Sequence, residues 1–106
     1  MFYSCTVCGY SQMRNPPKDY NICPCCGTEF GYDDFSKSHR MLRNDWLSRG
    51  APWFSSNIRP QFPWDGFRQV IEAGLPFDVP LPASNIILAP IKINARVRTT
   101  MDLQVA

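Results

Sequence analysis

The sequence predicts a small α+β protein, and three observations predict it. Two Cys-x-x-Cys-Gly elements, Cys5 to Gly9 and Cys23 to Gly27, lie near the N-terminus. A stripe of apolar residues at helical spacing follows within residues 35–50, and strict alternation of apolar and polar residues fills 91–105. Together they read as an N-terminal ribbon built on two cysteine knuckles, one or two short helices, and C-terminal β-strands. The expected organisation is a ribbon over 1–35, a helical and aromatic-loop segment over 36–75 packed on it, and an extended linker and β segment over 76–106, all in one compact domain.

The knuckles come first. Cys5, Cys8, Cys23 and Cys26 repeat one arrangement, each pair followed by a glycine that can take the positive φ needed to fold the chain back beside a metal. Four thiolates complete a tetrahedron, so these residues are the expected ligands of one ion. Cys25 is then the fifth cysteine and the spare. A reactive or redox thiol is one reading of it, but nothing adjacent supplies a base, and a bystander inside the knuckle is preferred. Closely spaced cysteine pairs with no secretory leader and no long apolar run point to a reducing compartment, the cytoplasm, with no membrane partner.

Phe2 to Ser4 and Tyr20 to Ile22 are expected as short strands entering the knuckles. Asn15-Pro16-Pro17-Lys18-Asp19 between them is a loop, since consecutive prolines exclude a helix interior. At 106 residues the chain can build only a modest core, which a metal cross-link would support. Aromatic residues make up 13 % of the sequence and are suited to such a core.

A helix is expected from Ser36, with Asp34 or Ser36 as N-cap and Gly50 before Pro52 as the stop. Phe35, His39, Leu42 and Trp46 fall on one stripe, with Lys37, Arg40, Asn44 and Ser48 opposite. Asp45 and Arg49 have the spacing of a helical ion pair. His39, the single histidine, is read as a packed or hydrogen-bonded structural residue, because four thiolates already saturate a tetrahedral ion. A second helix over Asp65 to Ala73 would be capped by Asp65, turn Phe67, Val70 and Ile71 inward, and stop at Gly74. Residues 75–82 hold three prolines and are expected to be extended.

The formal charge of +2 assumes neutral thiols, and four thiolates around a divalent cation would bring the balance near zero. The charge is uneven along the chain. Residues 1–35 set Arg14 and Lys18 against Asp19, Glu29, Asp33 and Asp34, whereas 36–74 set Lys37, Arg40, Arg43, Arg49, Arg59 and Arg68 against Asp45, Asp65 and Glu72.

Two stretches suggest contact surfaces. Residues 51–64 place Trp53, Phe54, Phe62 and Trp64 between prolines and serines with no regular period. These rings either lid the core or, with Arg59, form a surface for a protein partner or for stacked bases. The tail from Ile91 would run roughly 50 Å as one strand at about 3.3 Å per residue, so it bends or pairs with another chain, including a second copy. Lys92, Arg96 and Arg98 share its polar face, where they keep an edge soluble or touch a partner.

Cys5-Thr6-Val7-Cys8-Gly9-Tyr10 and the Cys-Pro-Xaa-Cys-Gly form of the second knuckle resemble rubredoxin, which would imply iron and electron transfer. The gap over residues 9–22 is much shorter than in that family, and zinc is therefore preferred over iron, both being accepted by four thiolates. Cys23-Pro24-Cys25-Cys26-Gly27-Thr28-Glu29-Phe30-Gly31-Tyr32-Asp33-Asp34, with Trp46 and Gly50-Ala51-Pro52-Trp53-Phe54, resembles a group of small bacterial zinc-ribbon proteins of the cysteine-rich CPCC type. That resemblance runs from about residue 5 to about residue 75 and implies metal binding.

No glycine-rich phosphate loop or Ser/His/Asp set is legible, so an enzyme is not expected. The leading functional expectation is a non-enzymatic zinc-binding protein that acts as a protein–protein interaction module, in the manner of an inhibitor or immunity factor in bacterial or phage conflict. The first alternative is a nucleic-acid-binding ribbon using Arg40, Arg43, Arg59, Arg68 and the basic tail with Trp53 or Trp64. The second is a rubredoxin-like electron carrier.

Overall fold

The computed structural model describes residues 1–82. Its architecture follows from two tight knuckles that place sulfur at the centre and from two short helices that close over them. The core is accordingly part sulfur and part hydrocarbon: Cys5, Cys8, Cys23 and Cys25 are buried together with Val7, Met13, Phe30, Trp46, Leu47, Ala51, Phe67 and Val70.

The expected entry strands shrink to single pairings. Tyr3 bridges Met13 and Ile22 bridges Glu29, both antiparallel and both isolated. The first knuckle's arms exchange two hydrogen bonds, Tyr3 N to Met13 O at 2.8 Å and Met13 N to Tyr3 O at 3.0 Å. On the second, Asp19 and Tyr20 adopt positive φ of 54° and 63°, so the chain leaves the extended region just before Asn21. Pairing cannot propagate through that bend, and no strand of ordinary length forms among the described residues.

Helix α1 spans His39–Ser48. It begins later than the sequence suggests: Ser38, not Asp34 or Ser36, is the N-cap, its hydroxyl accepting from Met41 N at 3.1 Å. Phe35 therefore lies outside the helix and is 88 % exposed, which removes it from the apolar stripe. The buried face is Arg43, Trp46 and Leu47, flanked by the half-buried His39 and Leu42. Asp45 pairs with Lys37 at 3.1 Å, and no ion pair between Asp45 and Arg49 forms among the described residues. The stop at Gly50 is as expected, with Gly50 N bonded to Leu47 O and Ala51 N to Trp46 O.

Helix α2 spans Gly66–Glu72, and Asp65 caps it as the sequence indicates, accepting from Phe67 N at 2.9 Å. Phe67 and Val70 turn inward. Ile71 does not; it is 51 % exposed because a helix of seven residues presents only one narrow stripe to the knuckles. Beyond α2, residues 75–82 run without regular structure. They are pinned to α1 by Arg40 and Asn44, which both donate to the Asp78 carboxylate, at 2.7 Å from Arg40 Nη2 and 2.8 Å from Asn44 Nδ2. That arrangement holds the Asp78 carboxyl down to about 2, the Arg40 guanidinium being the main cause. The C-terminal strands expected over 91–105 lie outside the described residues.

Candidate metal centre

The knuckles are near copies of one another. In each, the residue after the second pair cysteine closes a turn onto the first, Gly9 N to Cys5 O and Gly27 N to Cys23 O, both at 2.9 Å. Each first cysteine also bonds forward, Cys5 N to Tyr10 O at 2.7 Å and Cys23 N to Thr28 O at 3.0 Å. Gly9 and Gly27 sit at φ of 85° and 80°, the region that a residue with a Cβ enters only at a cost.

These turns bring Cys5, Cys8, Cys23 and Cys26 together, with all four Sγ atoms within 4.8 Å of one another. Cys5 and Cys26 stand 3.8 Å apart, and Cys8 and Cys23 stand 3.7 Å apart. Metal–sulfur bonds of about 2.3 Å in a tetrahedron require sulfur–sulfur edges of about 3.8 Å, so the cluster has the dimensions of a four-thiolate metal site. Main-chain amides point at the sulfurs: Val7 N and Cys8 N donate to Cys5 Sγ, and Cys25 N to Cys23 Sγ, each at 3.4 Å. Thr28 Oγ1 lies 3.2 Å from Cys26 Sγ, where its hydroxyl donates to a thiolate. Crowding splits the thiols. Hydrogen bonding to Cys23 pushes Cys8 far up, hydrogen bonding to Cys26 pushes Cys23 up, and Cys26 is drawn down, chiefly by Cys23. A cation relieves that competition by letting all four ionise.

Cys25 is not part of the four-sulfur group. It is fully buried, and its sulfur accepts from Gln69 Nε2 at 3.3 Å. His39 is hydrogen-bonded at both ring nitrogens, Nδ1 with Thr6 Oγ1 at 2.9 Å and Nε2 with Asp34 Oδ2 at 2.8 Å. The imidazole, with the contact of Gly31 N second, holds the Asp34 carboxyl below the usual carboxylate range.

Two residues that hold the centre were not legible as such. Arg43 is 4 % exposed and donates to three carbonyls: Nε to Val7 O at 2.7 Å, Nη2 to Thr6 O at 2.9 Å and Nη1 to Pro76 O at 2.6 Å. It is unavailable to phosphates, which corrects its place in the nucleic-acid contact set. Its position one turn from His39 and Trp46, on the inward face, is the signal that could have found it. Gln69 likewise ties α2 to both knuckles, bonding Cys8 O at 3.0 Å as well as Cys25, while its Oε1 accepts from Trp64 Nε1.

The aromatic loop divides. Trp64 meets Trp53 edge to face at 5.3 Å, and Trp53 meets Tyr10 in the same way at 5.4 Å, with Trp53 Nε1 donating to Ile58 O. These two indoles are half-buried lids of the core. Phe54 and Phe62 instead face outward at 59 % and 89 % exposure, and Arg59 is exposed beside them. Lys92, Arg96 and Arg98 lie outside the described residues.

Comparison with known proteins adds uncharacterised relatives. The uncharacterised Bacillus subtilis (strain 168) protein YoaQ is 46 % identical over 70 residues, the match covering 45 % of this chain and 59 % of the relative. The uncharacterised protein YozI of the same organism is 38 % identical over 40 residues, covering 30 % of this chain and 33 % of the relative. The chain thus spans less than two thirds of the length of either of these curated relatives. No protein-family model matches the chain, and no solved structure does. No helix among the described residues is long and apolar enough to cross a membrane.

Proposed function

We propose that this chain is a non-enzymatic, cytoplasmic zinc-ribbon protein of the CPCC type, whose single zinc ion is structural and whose work is to bind another protein. The observation that carries the reading is the closed sulfur cluster: four Sγ atoms within 4.8 Å of one another, two of their separations at the tetrahedral edge length, three of the cysteines buried, and main-chain amides and Thr28 directed at the sulfurs. A four-thiolate site of this kind has no open coordination position, so the ion's contribution is to hold the knuckles together. The outward-facing Phe54, Phe62 and Arg59 then offer the contact surface, with the tail's Lys92, Arg96 and Arg98 as its second part. An inhibitor or immunity role in bacterial or phage conflict is the biological form proposed.

Elemental analysis of purified protein tests the metal. One zinc per chain and no visible absorption is expected; stoichiometric iron with a coloured, redox-active centre would instead make it an electron carrier. Capture from the native host with the intact chain, compared with one lacking residues 91–106, tests the protein partner. Binding of nucleic acid that weakens steeply as salt rises would favour the other reading. Solution mass of the same two forms tests self-association through the tail.

A further inference from the structure

A surface groove lies within the contact surface proposed above. It has a volume of about 540 Å³ and runs beside the second knuckle between the first knuckle's arm and the aromatic loop. Phe2, Ile22, Phe54 and Ile58 line it, and all four stay open to solvent at 39 to 59 % exposure. Arg14 and Arg59 also line it, with no acidic residue in its wall. Among the described residues neither guanidinium takes part in an ion pair. Its floor is firmly built: Phe54 N bonds Cys25 O at 3.0 Å and Ser55 N bonds Pro24 O at 2.9 Å, which fixes the loop to the knuckle.

We infer that this groove is a docking site for a short peptide segment of a partner protein, one that carries an aspartate or glutamate beside large apolar side chains. The inference rests on the protein-binding reading above and names the chemistry of the partner. Charge complementarity decides the sign, since two unpaired guanidiniums flanking an apolar floor attract a carboxylate and repel a basic segment. The chain's own Met101-Asp102-Leu103 carries the same side-chain types, and tighter binding of a selected peptide by the Asp102→Asn full chain than by the wild type would assign the groove to the tail and overturn the inference. Nucleic acid fits less well. Residues 1–82 carry eight basic and eight acidic side chains, counted from the sequence, and four metal-bound thiolates make that part anionic, so the field around the groove does not gather a polyanion.

Selection of phage-displayed random dodecapeptides on the immobilised, zinc-loaded full chain tests the inference. The expected outcome is enrichment of sequences that place Asp or Glu next to Leu, Ile, Phe or Trp. A selected peptide, fluorescently labelled, should bind roughly tenfold more tightly than its Asn/Gln copy, and Arg59→Gln or Arg14→Gln should weaken it several-fold at unchanged zinc content. The charge-reversed protein, Arg14→Glu with Arg59→Glu, should prefer the Lys copy of the peptide. Failure to enrich acidic–apolar sequences, indifference to both arginines, tighter binding of a single-stranded oligothymidine, or dimerisation through this face would each overturn it. A captured native protein whose binding ignores Arg14, Arg59 and Phe54 would also overturn it, while leaving the protein-binding reading in place with its surface elsewhere.

Discussion

Arg43 Nε donates to the Val7 carbonyl at 2.7 Å, joining the buried face of α1 to the turn that carries Cys5 and Cys8. The knuckle turn exposes carbonyls on its outer side as its amides point toward the sulfurs, and a guanidinium can take up two of them at once. Arg43 takes up Val7 O and Thr6 O together, then reaches Pro76 O, so one side chain joins the knuckle, α1 and the segment after α2. Removing it leaves the buried Val7 carbonyl and the part-buried Thr6 and Pro76 carbonyls without this donor. Arg43→Met should destabilise the zinc-loaded protein by about 2–4 kcal/mol, and Arg43→Lys by about 1–2 kcal/mol because an ammonium cannot reproduce the fork. Denaturant melts at fixed free zinc measure both, and equal stability of wild type and Arg43→Met would rule out this bracing role.

The ligand set makes a sharper prediction. Cys8→Ser should abolish stoichiometric metal binding and unfold at least residues 1–35, since ion binding by such sites is worth roughly 10–16 kcal/mol coupled to folding. Cys25→Ser should keep one metal per chain, because the Cys25 sulfur contacts Gln69 and lies outside the four-sulfur set. Metal content by elemental analysis and the amide NMR spectrum check each variant. Equal metal content in wild type and Cys8→Ser would overturn the assignment.

The cysteine spacing made the centre legible, because a Cys-x-x-Cys-Gly turn is set by short-range geometry that the sequence states outright. The caps at Asp65 and the stop at Gly50 were legible for the same reason. Strand formation over Phe2 to Ser4 and Tyr20 to Ile22 depended instead on whether pairing could propagate, and the positive φ at Tyr20, unlike that at Asp19, falls on a residue type that does not favour it. Ser38 takes the cap in place of Ser36, its hydroxyl accepting from Met41 N. Arg43 and Gln69 were hidden by chemistry: a charged and an amide side chain read as solvent-facing until the carbonyls they satisfy are known.

Gly27 supports a prediction that separates two costs. A Cβ there would lie 2.5 Å from Phe54 Cδ1 and 2.8 Å from Cγ, whereas at Gly50, with a similar φ of 89°, it would meet nothing within 4 Å. Gly50→Ala should therefore cost about 1 kcal/mol for backbone strain alone, and Gly27→Ala about 1–2 kcal/mol more for displacing the ring. In a Phe54→Ala background that excess should vanish, which a double-mutant cycle reads directly. Persistence of the full excess there would mean that the ring is not what Gly27 accommodates.

The contact between His39 and Asp34 predicts a pH dependence with a definite sign. Asp34 is held below its ordinary value, first by the His39 ring and then by Gly31 N, so its carboxylate stabilises the folded chain at every pH above the usual carboxylate range. That contribution is lost as pH falls through the range toward the depressed folded value. Both side chains are partly open to solvent, at 34 % for His39 and 22 % for Asp34, so screening keeps their coupling to about 0.5–1 kcal/mol at neutral pH. A double-mutant cycle of His39→Gln and Asp34→Asn on the zinc-loaded protein should return a value in that interval. Carbon-detected NMR titration of Asp34 should show its pKa moving upward in His39→Gln while Gly31 N keeps part of the depression. An unchanged Asp34 titration would show that the ring contributes packing on Phe30, at 5.5 Å between centroids, and no charge interaction.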